Sequence, residues 1–374
     1  VEEQVNTYIS GDQDLPAVSA LSGGGYVIAW TSAGQDGAND GVYAQRYDAN
    51  GVLVGPEFLV NTTVSSNQNN ASVTGLSGGG FVVTWQDSSG ADGSGTGIFG
   101  QRFDAGGVAL GAEFQVNTEF SSTQDETSVA SLADGGFVVT WTSTASGTAG
   151  DGSSDGVFAQ RYDSSGAAVG GEFQVNTTTA STQYQPHVVG LVGGGFVVTW
   201  SSYNQDATNT YGIYAQRFDA SGASLGVEFQ VNTSVASNQG EPRIGALSDG
   251  GWVVVWTDGG GADGSGSGVF GQRYDASGAA VGGEFRVNEV TASSQTQPDV
   301  IGLDGGGFVV TWSDSSGIDG SSFGVFGQEY DADGHRIDGQ FQVNTEFSSN
   351  QAQGVLAALP GGNFVAAWAS NTSG

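Results

Sequence analysis

The stretch Gly78-Gly79-Gly80-Phe81-Val82-Val83-Thr84-Trp85 decides the fold, because the chain writes it seven times. The copies end at Trp30, Trp85, Trp141, Trp200, Trp256, Trp312 and Trp368, at spacings of 55, 56, 59, 56, 56 and 56 residues. A fixed period of this size marks a repeat architecture. Within the motif, Phe81, Val83 and Trp85 share one face of an extended strand, and Val82 and Thr84 share the other. Neither face is charged, so both are expected to be covered, as in an inner strand of stacked sheets. The glycines ahead of the strand suit a tight turn that needs positive φ. A phosphate-cradling GxxxxGK[ST] loop is excluded, since the chain contains no lysine.

Around this strand each repeat carries three more extended pieces. In residues 68–117 the first runs through Ala71 and Val73 to Leu76, and the quoted motif is the second. The third is Gly97-Ile98-Phe99-Gly100-Gln101-Arg102-Phe103-Asp104, and the last is Glu113-Phe114-Gln115-Val116-Asn117. The segment Asp104-Ala105-Gly106-Gly107 between the third and fourth reads as a hairpin turn. The last piece alternates polar with apolar residues, as a half-exposed strand does. Two apolar strands followed by two increasingly polar ones is the gradient of a propeller blade running from axis to rim. The expectation is an all-β, seven-bladed β-propeller of four-stranded antiparallel blades, one domain over residues 1–374. Its seventh blade is incomplete at the C-terminal end, because the third piece occurs only six times. A copy of the outer strand, Gln4-Val5-Asn6-Thr7, stands at the N-terminus, so the ends of the chain are expected to meet.

Composition narrows the function. Acidic residues number 39 against 8 basic, a net charge of −31, and every basic residue is arginine. Such a chain repels nucleic acids and anionic membranes, and excludes them as partners. Cysteine is absent, which removes disulfides, zinc–thiolate sites and thiol catalysis. No run of 18 apolar residues appears, so no membrane insertion is expected. Methionine is also absent, even at position 1, so the sequence is expected to be a piece of a longer protein.

Arginine recurs in the third strand at 46, 102, 161, 217 and 273, and glutamate follows eleven residues later at 57, 113, 172, 228 and 284. In the sixth repeat both change together, to Glu329 and Gln340. The joint change predicts structural Arg–Glu pairs.

The pattern GGGFVVTW…DG…GVFGQRYDASGAAVGGEFQVNT, nearly intact over residues 193–233 and 250–288, resembles the tandem repeats of very large secreted bacterial proteins. These are type I secretion substrates of the hemolysin-like, calcium-binding and adhesin-like kind. The resemblance spans the whole chain and implies an extracellular or cell-surface location. It also implies a non-enzymatic binding or adhesion role toward a glycan or a cell-surface protein, played by a monomeric domain. The calcium nonapeptide GGxGxDxLx does not itself occur here.

Two sets of residues are candidates for a site. The loops between second and third strands repeat the spacing Asp-x-x-x-x-Asp-Gly at Asp87 and Asp92, Asp258 and Asp263, and Asp314 and Asp319. Paired carboxylates in a glycine-permissive loop suit calcium, which takes six to eight oxygens; the competing reading is turn chemistry on a solvated face. The third such loop is longer and carries Asp151 and Asp155. The second set breaks the repeat. Four residues after the glutamine that opens each first strand stand Ala17, Ser72, Ser128, His187, Arg243, Asp299 and Val355. His187, Arg243 and Asp299 come from consecutive repeats and are expected at the start of the first strand, near the axial mouth, where they can meet a ligand. An enzyme acting on polysaccharide from that mouth is the alternative function, and a structural spacer is a third. His335, in a turn on the opposite face, is read as a bystander.

Overall fold

A computed structural model describes residues 2–371 apart from 121, 145–153, 321 and 347–348. Every regular element is a β-strand, and the sheets follow the repeats. Six are four-stranded and antiparallel, each ordered first, second, third, outer strand along the chain. The second blade is typical, with strands Gln68–Gly75, Phe81–Asp87, Gly97–Phe103 and Ala109–Gln115. Six full blades stand where seven were expected. The seventh repeat forms a two-stranded sheet, Gln351–Leu359 with Asn363–Ser370. Residues 1–374 contain no third piece after Trp368 for Asn363–Ser370 to pair with.

The sheets pack face to face around an axis. Phe81, Val83 and Trp85 join Val27, Ala29, Val42 and Ala44 of the preceding blade in one apolar cluster. Val82, from the other face of the same strand, joins Phe137, Val139 and Trp141 of the next. Trp85 is 0% exposed, as expected of a strand covered on both sides. The two-stranded sheet packs against the sixth blade on one side and the first on the other. There Ala367, Val355 and Val365 meet Tyr26, Ile28 and Trp30.

Every first strand carries a bulge. Its third residue, Leu15, Asn70, Glu126, Gln185, Glu241, Gln297 or Gln353, has φ of 49 to 59°. Positive φ costs a side-chain-bearing residue about 1 kcal/mol or more. Cross-blade hydrogen bonds offset that cost: Gln185 Oε1 accepts from the Glu241 N–H (3.0 Å), and Gln353 Oε1 accepts from the Leu15 N–H across the chain ends (3.2 Å).

The Arg–Glu pairs do not form. Each arginine reaches forward instead, to the turn between third and outer strands of the following blade. Arg46 donates to the carbonyls of Ala105 and Gly106, and Arg161 to those of Ala220 and Ser221. Each glutamate reaches backward, where Glu113 accepts from the Thr62 N–H (2.7 Å) and Glu284 from the Thr233 N–H (2.7 Å). The joint change in the sixth repeat has two separate causes. Gln340 Oε1 accepts from the N–H of Glu289, which replaces the usual threonine and would repel a carboxylate. Glu329 stands in the blade before the two-stranded sheet, which among the described residues has no turn between third and outer strands to receive an arginine.

Candidate functional site

The first strands of all seven sheets line an axial channel of about 590 Å³. His187, Arg243 and Asp299 are all in its wall. Each is the fifth residue of its first strand. Arg243 links the three electrostatically. Burial and the Arg243 guanidinium push the His187 imidazole down to about 3, and its Nδ1 has no hydrogen-bond partner. Burial pushes Asp299 up to about 6, while Arg243 and the Leu356 N–H, 2.7 Å from Asp299 Oδ2, pull against it. Arg243 itself donates to the Pro242 carbonyl at 3.0 Å. A neutral imidazole, a guanidinium and a carboxyl thus share one water-accessible wall.

The paired loop aspartates stand at the blade ends in two structural roles. The first of each pair caps its own loop: Asp87 accepts from the Ser89 N–H (2.7 Å), Asp258 from Gly260 (2.8 Å) and Asp314 from Ser316 (2.7 Å). The second holds an outer-strand asparagine amide: Asp92 with Asn117 (3.3 Å), Asp263 with Asn288 (2.9 Å), and Asp319 with Asn344 (3.4 Å). Among the described residues, the acidic group compact enough for three ligand atoms on one ion lies elsewhere, at Asp331, Asp333 and His335. Asp331 there caps a turn, accepting from the N–H groups of Asp333 and His335. Asp151 lies outside the described residues.

A further cluster forms beside the channel mouth, where the third blade meets the fourth. Three tyrosines of the fourth blade converge, Tyr184 on Tyr211 (5.2 Å between ring centroids) and Tyr203 on Tyr211 (4.8 Å). Against them stand carboxylates of the third blade. Burial, then the charges of Glu126 and Asp155, push Asp125 up to about 7, and its Oδ1 is buried without a hydrogen-bond partner. Glu126 is raised by burial although the Gln185 N–H (2.6 Å) and the Thr142 hydroxyl (2.8 Å) both bind it. Burial, Tyr211 and the carboxylates Glu126 and Glu241 raise Tyr184 to about 12. Asp155 acts likewise on Tyr211, which ties the two halves of the corner together. The sequence held a signal for this corner. One residue after the repeat glutamine, Tyr184 stands where the other repeats have Asp14, Asn69, Asp125, Gly240, Thr296 and Ala352.

The sequence matches no protein-family model. It also matches no curated protein. Solved structures do share the fold. An α-L-arabinofuranosidase from Fusarium graminearum, in complex with an iminosugar inhibitor, superposes with a TM-score of 0.56 at 10% identity, covering 86% of this chain and 93% of that one. A Dyadobacter fermentans protein of unknown function gives 0.55 at 11% identity, covering 82% and 91%. The NanB sialidase from Streptococcus pneumoniae gives 0.51 at 11% identity, covering 98% of this chain and 69% of that one. At these identities the likeness is one of fold. The chain is an all-β propeller of four-stranded antiparallel blades.

Proposed function

We propose that the corner formed by Asp125, Asp155, Tyr184, Tyr203 and Tyr211 is a saccharide site, and that the protein acts on a polysaccharide there. The observation that carries this reading is a set of three converging tyrosines at one irregular blade boundary, where Asp155 acts on both Tyr211 and Asp125, whose carboxyl is raised to about 7. Aromatic faces suit the C–H faces of sugar rings, and carboxylates accept from sugar hydroxyls. A carboxyl group still protonated near neutral pH is a general acid for a glycosidic oxygen. Asp125 donates that proton as the C–O bond breaks, and Asp155 takes a proton from the water that adds to the sugar carbon. That the structural neighbours include an arabinofuranosidase and a sialidase is consistent with this class of substrate.

The test is product release from a panel of neutral and acidic polysaccharides, with binding followed in parallel. Asp125→Asn is expected to lower turnover by about a hundredfold or more while leaving binding within a few-fold. Tyr184→Ala is expected to weaken binding. Binding without product from the wild-type protein would instead make it an adhesion module, and neither binding nor product would make it a spacer.

A further inference from the structure

We propose that the axial channel is a binding site for one singly charged carboxylate group, held by the Arg243 guanidinium with the His187 imidazole beside it. The site does not rest on the role given to the corner of Asp125 and Tyr184.

The column that Arg243 occupies has a structural task in other blades, and an arginine cannot perform it. The fifth residue of a first strand turns a side-chain oxygen to the sixth N–H of the next first strand. Ser72 Oγ accepts from the Val129 N–H (3.1 Å), Ser128 Oγ from Val188 (3.3 Å) and Asp299 Oδ2 from Leu356 (2.7 Å). A guanidinium carries donors and no acceptor. The Val300 N–H, which Arg243 would have to receive, is bound by Asp299 of its own strand instead.

Nor is Arg243 a paired structural cation. Its one side-chain hydrogen bond goes to the adjacent Pro242 carbonyl, and among the described residues no carboxylate stands within ion-pair reach of it. Every other arginine donates to a segment remote in sequence. The carboxylates of the channel wall have donors of their own. Glu126 accepts from the Gln185 N–H and the Thr142 hydroxyl, and Glu241 from the Gln297 N–H (2.8 Å) and the Thr257 hydroxyl (2.7 Å). In a chain with 39 acidic residues, a half-buried guanidinium is thus left with unused donors.

That guanidinium belongs to the channel and not to one blade boundary. Its charge acts on Glu126 of the third blade, His187 of the fourth and Asp299 of the sixth. His187 Nδ1 is buried without a partner; Nε2 makes no hydrogen bond either, and is the ring nitrogen open to the channel. A neutral imidazole offers an Nε2–H donor there without adding a second positive charge.

These groups define the ligand. A planar carboxylate matches the guanidinium fork with two parallel hydrogen bonds. The charges of Glu126, Glu241 and Asp299 in the same wall oppose a dianion more strongly than a monoanion. A channel of about 590 Å³ admits such a group either as a small free carboxylate or as part of an acidic sugar residue.

The test is calorimetric titration of the 374-residue chain at pH 7 with acetate, glucuronate, glucose and sulfate. Acetate or glucuronate is expected to saturate one site, glucose to give no heat, and sulfate to bind more weakly than either carboxylate. Arg243→Gln is expected to weaken carboxylate binding about tenfold or more, and Arg243→Lys, which keeps the charge without the fork, by a smaller factor. In the wild-type protein, which needs no substitution to fold, saturation is expected to move the His187 ring-proton NMR signals and leave those of His335 in place. Glucuronate bound more tightly than acetate would assign the carboxylate to an acidic sugar, and the reverse order to a free carboxylate; both support the site. No saturation by either carboxylate up to about 100 mM would overturn the proposal. So would sulfate as the tighter ligand, binding indifferent to Arg243→Gln, or immobile His187 signals.

Discussion

The carboxylate of Glu2 accepts a 2.7 Å hydrogen bond from the backbone N–H of Thr345, tying the first described residue of the chain to a point 343 residues away. The same oxygen accepts from the Thr345 hydroxyl and, at 3.2 Å, from the Glu346 N–H. Hydrogen bonds to a charged acceptor contribute about 1.5–3 kcal/mol when shielded and less when solvent competes. Glu2→Ala is therefore expected to destabilise the fold by about 1 kcal/mol in urea unfolding. Glu2→Gln should cost less, because Gln340 already serves this position in the sixth blade.

Arg102 and Glu113 stand eleven residues apart on neighbouring strands, yet they act on opposite neighbours. Arg102 donates to the Ser164 and Ser165 carbonyls of the next blade, and Glu113 accepts from Thr62 and Thr63 of the previous one. A double-mutant cycle of Arg102→Met and Glu113→Ala should give a coupling below about 0.5 kcal/mol. Each single change should still cost about 1–2 kcal/mol, from the bonds it removes. A coupling above that bound would restore the direct ion pair.

The same two residues mark the limit of what the sequence reveals. Alternation in Phe81, Val83 and Trp85 encodes burial on both faces, and the period of the tryptophans encodes the stacking, so the blade was legible. Which neighbour a side chain reaches is not encoded by spacing. Arg102 spans about sixty residues forward and Glu113 about fifty back, and only the packing of the sheets decides that. The candidate site divides in the same way. His187 and Tyr184 both break a repeat column and are visible from sequence. Asp125 does not stand out, since Asp14 occupies the same column; burial against Glu126 and Asp155 singles it out.

Trp85 and Trp368 are the same residue of the same motif in different surroundings. Trp85 is enclosed by both neighbouring blades, whereas Trp368 lies in the two-stranded sheet and is partly exposed. Removing a buried indole leaves a cavity and costs about 3–5 kcal/mol. Trp85→Ala should fall in that range, and Trp368→Ala should cost about half as much or less, since surface already wet is not lost from the core. Equal effects in chemical denaturation would mean that the seventh sheet is as closed as the second.

His187 sets the acid limb of stability. Its imidazole is held neutral, with a folded value of about 3 against an ordinary 6.5, by burial first and by Arg243 second. The unfolded chain takes up a proton on falling below pH 6.5 and the folded protein does not. The stability due to the neutral ring is thus complete above pH 6.5 and drains away as pH falls from there toward about 3. Asp125 runs the other way: a carboxyl raised from 3.8 to about 7 contributes stability that is complete below about pH 4 and is lost as pH rises from there to about 7. Between about pH 4 and 6.5 the two effects oppose each other, so His187→Leu should leave Tm falling as pH rises through that window, and Asp125→Asn should steepen the loss of Tm on acidification. In the native protein, the His187 ring protons should show no titration by NMR between pH 8 and 5; a midpoint near 6.5 would place the imidazole in free contact with solvent and remove it from the channel wall.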